Sequence, residues 1–172
     1  MANFSVKLVD HTGSPDQFKQ LVLHPLQDLF TQVFTGTSDT ATLSWGAASP
    51  SDRLVLHFVE DIANSYISQK LPGSAIRPDD GGFTRTQGRV TGSEFYKFTV
   101  YRDGTRSQLR AHGMARLAFH ESMHNKTGWS NEKLHVKDGG GGLASSPPGH
   151  ALTEKNKAVM QAAMANTNAQ LQ

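Results

Sequence analysis

Leu117-Ala-Phe-His-Glu-Ser-Met-His-Asn125 is the stretch from which the rest of the chain is read. Its centre, His120 to His124, has the form H-E-x-x-H. On an α-helix, residues four apart stand one turn above each other on the same face. Both imidazoles then point to one place, and two Nε2 atoms can hold one Zn²⁺ at about 2.0–2.1 Å. Glu121, next in sequence to the first histidine, falls beside the open coordination position and outside the ligand set. There its carboxylate can take a proton from water. In a chain of 172 residues with eight histidines, this pattern arises by chance in roughly one case in a hundred. The plain alternative is a helix surface that happens to carry two histidines. The neighbours favour the site. Leu117 lies one turn before His120 as a floor, and the small Gly113 and Ala115 allow close packing on a sheet.

The site helix is expected from about Ser107 to Lys126, with Gly128 turning the chain back. A hydrolytic zinc site needs a third protein ligand and one open position. Downstream, Glu132, His135, Asp138, His150 and Glu154 are candidates. His135, eleven residues after His124 in Lys133-Leu-His-Val-Lys-Asp138, is preferred. Asp138 either orients a ligand or is a simple turn residue before Gly139.

Working toward the N-terminus, Phe95 to Tyr101 reads as a strand, rich in aromatic and β-branched residues. Residues 72–93, with many Gly, Pro, Asp and Arg, read as a loop or an irregular hairpin. Arg53 to Glu60 is apolar on both faces, which suggests an inner strand. In it, His57 reads as a core or rim histidine. Residues 41–45 and Phe4 to Val9 are further strands. Between them, Ser14-Pro15-Asp16-Gln17 has the form of a capping box, with Ser14 as the cap. Phe18, Leu21, Val22, Leu26, Leu29, Phe30 and Val33 follow at helical spacing as one buried stripe. The stripe keeps its phase across Pro25, so a kink is expected there, and Gly36 is the stop. At the other end, residues 138–149 read as irregular. A last helix starts near Thr153 and turns Val159, Met160, Ala163 and Met164 inward, and the tail after Asn166 is expected to fray. The fold class is α+β: a small twisted mixed sheet packed on the N-terminal helix and the site helix, with an irregular C-terminal part and a final helix. The length suits a single domain over 1–172.

Composition removes other chemistries. There is no cysteine, so disulfides, thiolate metal sites and cysteine nucleophiles are excluded. The net charge is only +2, with no basic run, so nucleic acid is not an expected partner. No signal peptide and no apolar run of membrane-spanning length is seen. A cytoplasmic protein, or one exported by a leaderless route, is expected.

The chain resembles a small metzincin-type zinc peptidase. The resemblance rests on the order strand, helix, strands, H-E-x-x-H helix, Gly128, His135, the Leu143 to Pro147 turn and the Thr153 helix. It covers most of the chain, but only the H-E-x-x-H is specific. The family pattern is H-E-x-x-H-x-x-G-x-x-H. Here Gly128 comes one position late and Ser130 stands where the third histidine is expected. Leu143-Ala-Ser-Ser-Pro147 takes the place of the turn with a methionine under the metal, and no tyrosine follows the motif. The resemblance implies that the strand 95–101 forms the sheet edge and takes an extended peptide. The resulting expectation is a zinc metallopeptidase with His120, His124 and His135 on Zn²⁺, Glu121 as general base and a peptide or protein substrate. Two alternatives stand beside it: a peptidase with Glu154 as third ligand, and a zinc-binding interaction module without catalysis.

Overall fold

The first strand, β1 (Asn3–Asp10), alternates buried Phe4, Val6 and Leu8 with more exposed neighbours, the period-two pattern of a strand with one face on a core. It is the centre of the architecture in the computed structural model, which describes residues 1–63, 81–90, 94–102 and 108–165. On one side β1 pairs in parallel with β2 (Thr40–Trp45), and on the other with β3 (Leu54–Val59). β3 pairs in parallel with β5 (Glu94–Arg102), and β4 (Gly82–Val90) closes the sheet antiparallel to β5. The order is β2-β1-β3-β5-β4, a five-stranded mixed sheet within an α+β fold.

Helix α1 (Asp16–Val33) buries Phe18, Val22, Leu26, Phe30 and Val33, and it runs on through Pro25. The predicted stripe is thus the packed face, with Leu21 and Leu29 at its margin. The start of the helix differs from the predicted box. Pro15 occupies the cap position without a side-chain bond, and the Ser14 amide donates to Asp10 Oδ2 at 3.0 Å. Asp10 also receives the Thr12 amide at 2.9 Å, so the turn out of β1 uses the polar groups that a cap needs. The helix ends at Val33, before Gly36.

Helix α2 (Gln108–Thr127) carries the H-E-x-x-H and lies against α1, where the Phe30 and Phe119 rings meet edge to face at 5.3 Å. Helix α3 (Glu154–Ala165) brings Val159, Met160, Ala163 and Met164 into the same core as expected. Thr153 caps it: its Oγ1 accepts from the Asn156 amide at 3.0 Å, while Asn156 Oδ1 receives the Thr153 amide at 3.1 Å. The tail after Asn166 lies outside the described residues.

Of the loop or irregular hairpin expected over 72–93, residues 82–90 are strand β4, one arm of an antiparallel pair with β5 whose register shifts between Gln87 and Val90. The loop alternative fails there because β5 supplies backbone partners that local composition does not reveal; residues 72–80 and 91–93 lie outside the described residues. The strand 95–101 is therefore not the edge. Among the described residues β5 is flanked on both sides, and β4 is the outer strand.

Under the C-terminal end of α2, Lys126 is fully buried, its Nζ donating to the Arg53 carbonyl at 3.2 Å. Burial, with the Arg53 charge nearby, pushes its pKa down to about 8. The unfolded chain holds this proton up to about pH 10.4, so between these values it binds more protons than the native state. Stability contributed by this group therefore rises with pH across that window, by on the order of 2–3 kcal/mol. Chemical denaturation of wild type and Lys126→Met at pH 7.5 and 10 checks this: the pH-dependent gain should be missing in the variant.

Candidate metal centre

Helix pitch alone brings His120 and His124 together; their ring centroids are 5.0 Å apart and both side chains are buried. The backbone around them then decides which nitrogen is available. His120 Nδ1 lies 2.7 Å from the Leu143 carbonyl, and His124 Nδ1 lies 2.9 Å from the Trp129 carbonyl. A carbonyl can only accept, so each Nδ1 carries the proton and each Nε2 presents a lone pair. Gly128, at φ 71°, makes the second bond possible by turning Trp129 back over the helix end.

His135 completes the cluster. It stands on a wide π-type helical turn, Glu132–Asp138, anchored by the buried Leu134. Its Nε2 lies 3.0 Å from Nε2 of His120 and 3.0 Å from Nε2 of His124. A neutral His135 can donate at most one proton there, to one of two waiting lone pairs. The group as it stands is therefore short of positive charge at its centre. A cation placed among the three nitrogens satisfies all of them, and His120, His124 and His135 could hold a metal ion. Burial lowers the pKa of all three, that of His120 to about 4, so neutral imidazole, the metal-binding form, prevails at neutral pH.

No family model, curated protein or solved structure matches the chain.

The other candidate ligands are held elsewhere. Glu154 is 91% exposed on the first turn of α3 and pairs with Lys157 at 3.6 Å. Asp138 pairs with Lys133 at 3.1 Å, and Glu132 with Lys137 at 2.9 Å. His150 is exposed. Among the described residues the three histidines are the one group of this kind. His57 sits on β3 with its Nδ1 2.9 Å from His11 Nε2, a rim pair remote in sequence from the cluster. Leu117 is half-buried and packs under Gly81, at the entry to β4.

Glu121, next in sequence to His120, is buried and not part of the cluster. The Thr84 hydroxyl, on β4, donates to its Oε2 at 2.5 Å. The 3₁₀ turn Gly142–Ala144, in the predicted place of the turn under the metal, supplies the Leu143 carbonyl to His120. That turn is tied down by Asn156, which is fully buried and uses both ends of its amide. Oδ1 accepts from the Leu143 amide at 3.2 Å, and Nδ2 donates to the carbonyls of Gly139 at 2.5 Å and Gly141 at 3.0 Å. Sequence reasoning missed Thr84 and Asn156. The Thr153-x-x-Asn156 spacing, a capping-box form, was the one signal for the latter; Thr84 had none.

Gly139 marks where the His135 turn meets the Leu143 turn. A side chain there would put its Cβ 1.9 Å from the Leu134 carbonyl oxygen and 2.7 Å from Ala144 Cβ. Gly139→Ala must therefore move one turn away from the other, at an expected cost of about 1–3 kcal/mol or more. Because Leu134 adjoins His135, metal affinity should fall as well. Thermal melts with and without added zinc check both effects.

Proposed function

We propose that this chain is a zinc-dependent peptidase of metzincin-like organisation, with His120, His124 and His135 as zinc ligands and Glu121 as general base. The observation that carries the reading is the convergence of three histidine Nε2 atoms, with the buried Glu121 next in sequence to one of them and outside the ligand group. A purely structural zinc site usually closes its coordination with a fourth protein ligand. Three protein ligands would leave a position open, and Glu121, next in sequence to His120, is buried on the same helix and outside the ligand group. When bound, the zinc ion supplies Lewis-acid polarisation of the scissile carbonyl and acidification of water.

The side chains do the rest. Glu121 accepts the proton of the attacking water and returns it to the leaving amine nitrogen. The low accessibility of His120, Glu121 and His124 limits competing bulk water. The outer edge of β4, antiparallel to β5, offers backbone groups to which an extended peptide can add as a further strand. On this reading the peptide would add to β4 and not to the strand 95–101.

The test is cleavage of a peptide library at neutral pH by the zinc-loaded protein, by the chelator-stripped protein and after zinc is restored. Cleavage should vanish on stripping and return with zinc. Hydrolysis that survives stripping would sink the reading. Zinc binding without any cleavage would favour the non-catalytic zinc module.

A further inference from the structure

We propose that Thr84 is a positioning residue that orients the Glu121 carboxylate for proton transfer, so that one strand both aligns the peptide and sets the base. The inference deepens the peptidase reading and rests on it. Two independent contacts seat Glu121 on β4. At Gly82 the strand comes so close that a Cβ would lie 2.9 Å from Glu121 Cγ and 3.1 Å from Oε1. Two residues on, and so on the same face of the strand, Thr84 gives its hydroxyl proton to Glu121 Oε2, with the Glu121 carbonyl 3.1 Å from the same oxygen.

A hydroxyl has one proton to donate, and the charged oxygen at the shorter distance is the better acceptor. The bond removes one rotational freedom from a side chain that the Gly82 backbone already confines. A general base works only within hydrogen-bond reach of its proton, and small misplacements cost rate steeply. Because Thr84 belongs to the outer strand, the distance from a peptide paired along β4 to the carboxylate is set within one element. A hydroxyl needed only for packing would be replaceable by a methyl group of the same shape.

The experiment compares wild type, Thr84→Val, Thr84→Ser and Glu121→Gln, each zinc-loaded. It reads bound zinc, acetohydroxamate affinity by calorimetry, and kcat and KM on a cleaved peptide. A hydroxamate needs a correctly placed carboxylate to take its proton, so it reports the position of Glu121 without turnover. Thr84→Val should keep its zinc, bind acetohydroxamate about 10-fold more weakly and lose about 10–100-fold in kcat with KM unchanged. Thr84→Ser should restore both. In the Glu121→Gln background, Thr84→Val should add no further loss.

Wild-type behaviour of Thr84→Val would overturn the proposal. So would loss of zinc in Thr84→Val, or a Thr84→Ser variant as impaired as Thr84→Val. If Thr84→Val does not fold, Thr84→Ala against Thr84→Ser reads the same hydroxyl. If wild type cleaves no peptide, the peptidase reading falls, and the acetohydroxamate series alone decides whether Thr84 orients Glu121.

Discussion

Glu121→Gln is expected to lower kcat by about 10²–10⁴-fold, the usual cost of removing a general base, while bound zinc and the melting temperature stay at wild-type values. The amide has the shape of the carboxylate and an oxygen that can still accept the Thr84 proton, so the contact with β4 survives. The three histidines do not depend on it: His120 and His124 are oriented by the carbonyls of Leu143 and Trp129, and His135 by its own turn. What the amide cannot do is take a proton from water at neutral pH. Peptide cleavage, measured beside zinc content on both proteins, separates the outcomes. Equal turnover would remove Glu121 from the mechanism. Loss of zinc would make it a ligand and require the centre to be redrawn.

His135→Ala is expected to weaken zinc binding by well over 100-fold, since even residues that merely support a ligand cost about 10–100-fold. His120 and His124 would remain, but two imidazoles on one helix turn give half of a tetrahedral shell. The fold should persist without the ring. Leu134 anchors the turn from inside the core, and His135 itself is only half-buried. The clearest sign is thermodynamic. Zinc that binds only the native state raises the melting temperature of wild type, and this zinc-dependent rise should disappear in His135→Ala. Zinc content after dialysis gives the parallel reading. Glu154→Ala is the control: its exposed carboxylate pairs with Lys157 and lies outside the cluster, so zinc retention should be unchanged. The reverse pattern would make Glu154 the ligand.

Much of this molecule is legible because regular backbone geometry repeats over short distances. The 3.6-residue pitch places His120 and His124 on one face whatever the remainder of the chain does. The same pitch makes Phe18, Val22, Leu26, Phe30 and Val33 one buried stripe. It also turns Val159, Met160, Ala163 and Met164 inward on the last helix. Alternation marks β1, and apolar residues on both faces mark β3 as an inner strand, which its pairing with β1 and β5 bears out.

Where two local solutions compete for the same polar groups, the sequence is less decisive. Ser14 had the form of a helix cap, yet Asp10 takes its amide into the preceding turn. Residues 82–90 look like a loop by composition and form β4 only because β5 lies alongside. An outer strand exposes one edge and needs fewer apolar residues, so its pattern is weak.

By itself, then, the sequence determined the helical histidine pair, the adjacent Glu121, the main helices and the α+β class, because each follows from periodicity within one or two turns of chain. It offered several third ligands at comparable spacing. Only the tertiary structure put His135 against His120 and His124, paired Glu154 and Asp138 with Lys157 and Lys133, and put Thr84 on Glu121. Only the tertiary structure, too, aimed the carbonyls of Leu143 and Trp129 at the two Nδ1 atoms. The physical reason is that loops and sheet edges are placed by contacts distant in sequence. A backbone carbonyl is carried by every residue, so its use as a tautomer-setting acceptor leaves no mark in the order of side chains.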